Sequence, residues 1–266
     1  MRRFGAISSI GVSAARSAGS SGLSASRSCA SEESEAAYAD LLVAENGLRP
    51  WSPEGPHGED PPPEGSLVRL DANGTRHVVV TGLLDPVWVT ASENGTFGFV
   101  GLFHSGEIAR VSLLHTGTVT VVAKGLSCPE GVAVSSTDND VLYVVENPVG
   151  DECAADFPLK PRAQLTRVNM RTGRQYKIAS LQSSHDGEEG GPHGLAVIGN
   201  YAYVCDCPAD AASLTRVDLT NGETTVVTNL TSPSGCAVDG AGRFAYVVEQ
   251  GTSDGQLVRV DLRDGM

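Results

Sequence analysis

Aromatic residues are scarce in this 266-residue chain, at 5% of the sequence, and no run of about 18 apolar residues occurs. The lack of such an apolar run argues against a transmembrane helix. Basic residues are also few, with 19 Lys and Arg against 32 Asp and Glu, so the formal net charge is -13. We therefore expect no binding to nucleic acid or to an anionic membrane surface, because like charges repel.

The sequence also lacks the motifs of several enzyme classes. It contains no P-loop, no dinucleotide fingerprint, no H-E-x-x-H motif and no Ser-His-Asp order, and we expect no organic cofactor. The cysteines show no C-x-x-C spacing; they are Cys29, Cys128, Cys153, Cys205, Cys207 and Cys236. We expect inert cysteines in or beside strands, with a thiolate metal pair at Cys205 and Cys207 as the alternative.

Two segments at the start of the chain differ from the rest in composition. Residues 1–30 are rich in Ser, Ala and Arg and contain no acid, which predicts a transit peptide for a plastid or mitochondrion. A secretory signal and a disordered tail are the alternatives. Residues 31–64 are acidic and rich in Pro, which predicts a linker or an extended arm, with a short helix allowed from Ala36 to Ala44.

What the chain does contain is Gly, with 31 residues, and a repeat of short β-rich runs from about residue 65 to its end. One run reads Leu-x-Arg-Val-Asp or a close variant, at 66–71, 107–112, 164–169, 213–218 and 256–261. A small apolar run recurs at 86–91, 131–136, 194–199 and 235–240. Four strands in about 40 to 45 residues, with no helix between them, is the period of a β-propeller blade.

The repeat therefore predicts an all-β propeller of four-stranded blades over residues 65–266. We expect the small apolar run on the crowded inner strand and the arginine run on an outer strand. Three complete blades begin at Pro86, Gly131 and Gly194, a three-stranded one begins at Gly235, and an outer pair precedes them. This amounts to about four and a half blades, so we expect an incomplete ring, or a fragment of a larger one.

The pattern Pro-x-Gly-[Val/Leu]-Ala-Val, Tyr-Val-Val-Glu and Leu-x-Arg-Val-Asp resembles the repeats of NHL-type and SMP-30/gluconolactonase-type propellers. Their wider clan includes strictosidine synthase and virginiamycin B lyase, and the resemblance implies a six-bladed ring. In the SMP-30-like lactonases, divalent-metal ligands stand just before the Gly that opens an inner strand. The resemblance assigns that place to Asp85, Glu130, His193 and Ser234, at one end of the central channel.

The implied function is a metal-assisted hydrolase of a lactone or small ester. Asp85 and Glu130 would hold Ca²⁺, Zn²⁺ or Mn²⁺, with His193 as a further ligand or as the general base. The run Gly-Pro-His-Gly-Leu at 191–195 also resembles a stretch of virginiamycin B lyase in which the histidine is a general base, so a lyase is a further alternative. This chain departs from the lactonase pattern, which has Asn and Asp where His193 and Ser234 stand.

A non-catalytic NHL-type propeller is the alternative of a different class. It would bind a protein or a small molecule through its loops. One other polar feature belongs to neither reading: an acid ends the second strand of three blades, at Glu146, Asp206 and Glu249. Repetition at one blade position predicts a structural role, such as a hydrogen bond to a neighbouring turn.

Overall fold

The computed structural model of the protein describes residues 12–15, 40–46, 64–71, 73–114, 117–148, 162–182, 190–208, 211–250 and 254–263. Within these ranges every regular element is a β-strand. A search of the same ranges finds no helix with the length and apolarity to cross a membrane. The strands form antiparallel sheets arranged as a propeller, which confirms the predicted fold class, and five such sheets lie in the described part of the chain.

Each sheet is a blade in which sequence neighbours pair in order. Blade 1 contains β1 (Val12–Ala15), β2 (Asp40–Glu45), β3 (Glu64–Leu70) and β4 (Arg76–Leu84). Blade 2 contains β5 (Pro86–Ala91), β6 (Phe97–Leu102), β7 (Glu107–Ser112) and β8 (Val119–Ala123). Blade 3 contains β9 (Pro129–Val134), β10 (Val141–Glu146), β11 (Gln164–Asn169) and β12 (Gln175–Ser180). Blade 4 contains β13 (Gly191–Ile198), β14 (Tyr201–Cys207), β15 (Ser213–Asp218) and β16 (Thr224–Asn229). Blade 5 contains β17 (Pro233–Val238), β18 (Phe244–Glu249) and β19 (Gln256–Asp261).

The first strand of each blade lies at the centre of the ring. β1 packs against β5, β5 against β9, β9 against β13, and β13 against β17. Glycine permits this close approach: a Cβ at Gly131 would lie 2.5 Å from the carbonyl oxygen of His193, and one at Gly194 would lie 2.7 Å from the Cα of Gly235. The predicted place of the small apolar run, on the inner strands, is confirmed.

Hydrophobic side chains fill the space between successive blades. Leu42 and Leu67 of blade 1 pack with Val89 and Val100 of blade 2, and these side chains are buried. Similar buried clusters join blade 2 to blade 3, blade 3 to blade 4, and blade 4 to blade 5. Because each sheet buries both faces only by stacking on neighbours, the blades stabilise one another in series.

The repeated arginines lie on the third strand of each blade, one strand inside the outermost strand of blades 1 to 4. In three blades the guanidinium stacks over an aromatic ring that opens the second strand. Arg110 lies 4.8 Å from the centroid of Phe97, Arg216 lies 5.1 Å from that of Tyr201, and Arg259 stacks on Phe244. These cation–π contacts explain why arginine recurs at one position of the repeat.

Two expectations for the start of the chain are wrong in the structure. The helix allowed from Ala36 to Ala44 does not extend over its end, because Asp40–Glu45 is strand β2. The propeller also begins before residue 65, since β2 pairs with β3 and buries Leu42 and Ala44. Val12–Ala15 pairs with β2 inside the segment predicted as a targeting peptide, and the targeting role itself stays a prediction.

Inner-strand crowding can be tested at Gly131. We expect Gly131→Ala to lower the free energy of unfolding by about 1–3 kcal/mol, because the new Cβ would collide with backbone of β13 that cannot rotate away. Gly240→Ala is the matched control, since nothing lies within 4 Å of its added Cβ. Its effect should stay within about 0.5 kcal/mol. Urea denaturation measures both, and equal stabilities would contradict the packing described here.

Candidate functional site

The pairing of the first two strands shows which residues occupy equivalent places in different blades. Pro86, Pro129, Pro192 and Pro233 lie opposite Leu102, Glu146, Asp206 and Glu249, and the register shifts directly after each proline. The residue that follows the proline is here called the mouth position. It is occupied by Glu130 in blade 3, His193 in blade 4 and Ser234 in blade 5.

The same register corrects the place assigned to Asp85. The mouth position of blade 2 is Val87, and Asp85 lies on the other side of the proline, equivalent to Cys128. Both residues have the same positive φ of 48°. The carboxylate of Asp85 is buried, accepts a hydrogen bond from Asn46 Nδ2, and lies 2.5 Å from His104 Nδ1. Asp85 therefore connects blade 1 to the loop after β6 and does not share the mouth position.

Glu130 and His193 do meet, across the boundary between blades 3 and 4. Glu130 Oε2 is hydrogen-bonded to His193 Nδ1. Glu130 Oε1 accepts a hydrogen bond of 3.1 Å from Asn147 Nδ2. Asn147 is itself held tightly, since a Cβ at Gly191 would lie 2.3 Å from its Oδ1. Asn147 thus fixes the carboxylate, and the carboxylate fixes the imidazole.

This pairing determines which nitrogen of His193 is available. In the neutral ring, an Nδ1 that donates to a carboxylate leaves the lone pair on Nε2. Within the described residues the structure gives Nε2 no hydrogen-bond partner. The His193 side chain is 30% exposed, whereas that of Glu130 is 11% exposed. The imidazole therefore has one nitrogen anchored in the protein and one that a ligand can reach.

Charges around His193 change its protonation. Burial alone would lower the pKa of His193, but the charge and hydrogen bond of Glu130, together with the charge of Asp206, outweigh burial and raise it above the usual 6.5. Burial raises the pKa of Asp206 to about 6, although a backbone hydrogen bond from Gln182 and the charge of His193 act in the opposite direction. His193 and Asp206 are thus two interacting groups whose pKa values both lie above the usual values.

Ser234, the third residue at the mouth position, does not join this cluster. Its hydroxyl donates to the backbone oxygen of Val248 over 3.4 Å, within its own blade. The structure therefore brings together two of the four predicted residues, Glu130 and His193.

Trp88 lies on the inner strand of blade 2 and reaches across to blade 5. It stands where blades 3, 4 and 5 have Gly131, Gly194 and Gly235. Its six-membered ring reaches blade 5, where a Cβ on Gly235 would lie 3.4 Å from Cη2. Because blades 3 and 4 lie between blades 2 and 5 along the ring, the indole spans the centre. An aromatic side chain, Trp88, thus lies at the inner-strand position that follows the mouth position.

The acids that end the second strands were expected to be structural, and Glu146 and Glu249 confirm this. Glu146 accepts hydrogen bonds from the backbone of Ser127 at 2.7 Å and from Gln164 Nε2 at 2.9 Å. Glu249 accepts in the same way from Thr231 and Gln256, each at 2.6 Å. Each glutamate ties the loop before the inner strand to the third strand of its blade.

A divalent cation was predicted at the channel mouth, and the donors do not fit one. The described ranges hold no group of three or more His, Cys, Asp or Glu side chains suited to a metal ion. Glu130 and His193 are hydrogen-bonded to each other, and Asp85 is bound by Asn46 and His104. Ca²⁺ would need six to eight oxygen ligands, and Zn²⁺ three or four protein ligands. No chemical step is therefore assigned to a metal here.

The cysteines behave largely as expected. Cys205 is buried and hydrogen-bonded to Cys236 in the next blade, which together with burial raises the pKa of its thiol well above the usual value. Burial also raises the pKa of Cys207. Such thiols are poor nucleophiles and poor metal ligands. Cys128 differs from them, because it forms a disulfide.

Sequence reasoning missed Asn147, Asn46, His104 and Trp88. Trp88 carried a visible signal, since Pro-Val-Trp at 86–88 breaks the Pro-x-Gly pattern of the other blades. Asn46 and Asn147 also carried one, because each follows the glutamate that ends a second strand, in Glu-Asn at 45–46 and 146–147. His104 lies in the loop after β6 and has no such repeat. The contacts of Asn46, Asn147 and His104 depend on which loops the ring brings together.

No known family model matches the sequence, and no curated protein matches it. Solved structures do match its fold. A chain of the nidogen–laminin complex superposes with a TM-score of 0.58 at 15% identity, covering 76% of this chain and 70% of that one. A gluconolactonase from Xanthomonas campestris gives 0.55 at 17% identity, covering 84% and 79%. TolB from Acinetobacter baumannii gives 0.55 at 14% identity, covering 87% and 59%.

These likenesses establish the fold. At identities of 14% to 17% they identify no activity. The chain is a β-propeller with gluconolactonase propellers among its structural neighbours, in agreement with the broader part of the resemblance read from the repeat. A ring of six blades stays a prediction.

The raised pKa of Asp206 predicts a pH-dependent stability. Because the carboxyl group has a pKa of about 6 in the folded chain against 3.8 unfolded, protonation below pH 6 favours folding, and the ionised group costs roughly 3 kcal/mol at pH 7. We expect Asp206→Asn to raise the free energy of unfolding at pH 7 by about 1–3 kcal/mol and to have little effect at pH 4.

Glu249→Gln is the control for this prediction. It weakens two charge-assisted hydrogen bonds, so it should lower the stability at pH 7. Urea unfolding of each variant at both pH values measures the difference. If Asp206→Asn destabilised the protein at pH 7 as Glu249→Gln does, the buried carboxylate would not carry the proposed electrostatic cost.

Proposed function

We propose that the chain is a lactonase-like propeller that hydrolyses a small ester or lactone at its channel mouth, with His193 as the general base. One observation carries this proposal. Glu130 holds Nδ1 of His193, which leaves Nε2 as the basic nitrogen in a partly exposed position. General-base catalysis by histidine requires an imidazole with an accessible lone pair. A carboxylate on the other ring nitrogen orients such an imidazole.

In the proposed step, a water molecule hydrogen-bonded to Nε2 attacks the carbonyl carbon of the substrate. His193 takes the proton from that water, and Glu130 stabilises the imidazolium through Nδ1. The tetrahedral intermediate breaks its carbon–oxygen bond to the leaving alkoxide, which takes the proton back from Nε2. The products are a carboxylic acid and an alcohol, joined in one molecule when the substrate is a lactone.

The surroundings of His193 limit the kind of substrate. The chain carries a net charge of -13, and Glu130 and Asp206 are close to the ring, so an anionic substrate would be repelled. Trp88 offers an apolar surface across the channel. A neutral ring or a short acyl chain suits these surroundings.

The proposal predicts the effects of substitutions at the mouth position. Against neutral γ- and δ-lactones and p-nitrophenyl acetate, we expect His193→Gln to lower kcat/KM by about 100-fold or more, because it removes the base. Glu130→Gln should lower it by about 10-fold or more. Ser234→Ala should have almost no effect, since its hydroxyl bonds within blade 5. Unfolding curves check that each variant is folded.

The pH profile gives a second result from the same assays. Since the base must be neutral, kcat/KM should rise with pH through a midpoint above 6.5. Glu130→Gln should move that midpoint down, because the carboxylate favours the imidazolium. Activity should persist after treatment with a chelator. Full activity of His193→Gln, or activity that depends on added Ca²⁺, Zn²⁺ or Mn²⁺, would contradict the proposed step.

A non-catalytic, partner-binding propeller is the second candidate, and one observation favours it. Blade 5 presents an apolar surface, with Val248 49% and Leu257 68% exposed. Apolar surface exposed in this way is typical of binding sites. If no lactone or ester is turned over by the folded protein, this candidate replaces the enzyme.

The compartment is also a proposal. A transit peptide was the first expectation, with a secretory signal as an alternative. Disulfides persist in oxidising compartments, so the disulfide of Cys128 favours the secreted alternative.

A further inference from the structure

The second strands of blades 1, 3, 4 and 5 end in a carboxylate, and blade 4 uses it differently from the others. In blade 1 it is Glu45, which accepts hydrogen bonds from Ser66 and Arg76. In blades 3 and 5 a glutamate accepts from a loop backbone N–H and from a glutamine on the third strand. In blade 4 the acid is Asp206, which is shorter by one methylene. The residue opposite it on the third strand is Ser213, where blades 3 and 5 have Gln164 and Gln256.

These two changes leave Asp206 with an unused oxygen. The backbone N–H of Gln182 still donates to its carboxylate, as a loop N–H does in blades 3 and 5. Ser213 does not replace the glutamine, because its hydroxyl bonds to that of Thr215 at 3.1 Å. Asp206 is 1% exposed, and its Oδ1 has no hydrogen-bond partner in the described part of the chain.

A buried carboxylate oxygen without a partner is costly, and it lies beside His193. Pro192 is paired with Asp206, and the register shifts directly after it, where His193 stands. The charges of the two side chains interact. Glu130 is hydrogen-bonded to the same imidazole from blade 3, so the charges of two carboxylates from different blades act on His193.

We infer that Asp206 is a positioning residue whose charge stabilises the imidazolium of His193 from the side of blade 4. The inference rests on the proposed general base and adds a second carboxylate to it. No bond to Asp206 forms or breaks; its charge offsets the proton that Nε2 takes from the attacking water. In blades 3 and 5 the longer glutamate side chain and a glutamine bond the carboxylate to the third strand. Blade 4 lacks both, so the carboxylate of Asp206 is not bonded to the sheet in this way.

The test restores the structural arrangement of blades 3 and 5. Asp206→Glu combined with Ser213→Gln recreates the pair seen as Glu146 with Gln164 and as Glu249 with Gln256. We expect Tm to rise by about 3 °C or more, because the orphaned oxygen gains a donor. At the same time kcat should fall about 10-fold or more, with KM changed less than about threefold. A merely structural carboxylate would not move stability and kcat in opposite directions.

The mirror change in blade 5 is the matched control. Glu249→Asp with Gln256→Ser removes the same arrangement at a distance from His193, so Tm should fall and kcat should stay the same. Asp206→Asn covers the case in which the double variant misfolds, and its kcat should fall without a change in KM. Unchanged kcat in Asp206→Asn, or in a folded and stabilised blade-4 double variant, would overturn the inference and leave the general base intact.

A readout without turnover separates this inference from the proposed hydrolysis. The imidazole of His193 can be followed by NMR during a pH titration. Its midpoint should fall in Asp206→Asn and stay constant in the blade-5 control. If the midpoint falls but no substrate is hydrolysed, the pairing of Asp206 with His193 stands and the proposed reaction fails. A midpoint that does not move would overturn the pairing itself.

Discussion

The close approach of the inner strands at Gly131 and Gly194 is the constraint on which the rest of the structure depends. At these points the backbones leave no space for a Cβ. The short distance between blades 3 and 4 is what lets the Glu130 carboxylate reach the His193 imidazole. A propeller with larger residues on its inner strands would hold these side chains further apart. The crowding that builds the ring therefore also builds the candidate site.

The same blade positions carry different tasks in different blades. The acid that ends the second strand joins a loop to the third strand in blades 3 and 5. In blade 4 it keeps the bond to the loop and lacks the bond to the third strand. The glycine after the mouth position is replaced by Trp88 in blade 2, and the indole reaches Gly235 of blade 5. The departure at Asp206 thus lies next to His193 in the same blade, whereas the acids of blades 3 and 5 stabilise their own sheets. Local departures from a consistent pattern are where function is expected.

The sequence predicts the fold wherever the strands follow the repeat. Short β-rich runs recur along these strands, and small residues mark the inner strand of each repeated blade. The prediction failed in blade 1, because β2 lies in an acidic and Pro-rich segment. Leu-Leu-Val-Ala-Glu-Asn at 41–46 nevertheless matches the second-strand run Leu-Tyr-Val-Val-Glu-Asn at 142–147, and β2 joins the sheet through pairing with β3. The sequence placed Glu130 and His193 correctly relative to each other. It misplaced Asp85, because a proline with no glycine after it hid the register of blade 2. The hydrogen bond from Asn147 to Glu130 depends on tertiary structure, although the Glu-Asn pair at 146–147 recurs at 45–46, where Asn46 donates to Asp85.

The most direct test of this account is the tautomer of His193, read from the ¹⁵N chemical shifts of its imidazole at high pH. The account predicts a neutral ring with the proton on Nδ1, held by Glu130, and the lone pair on Nε2. Glu130→Gln should shift the ring toward the mixture of tautomers found in free histidine. A wild-type ring with its proton on Nε2, or one insensitive to Glu130, would show that the pair does not exist in solution and would contradict the central claim.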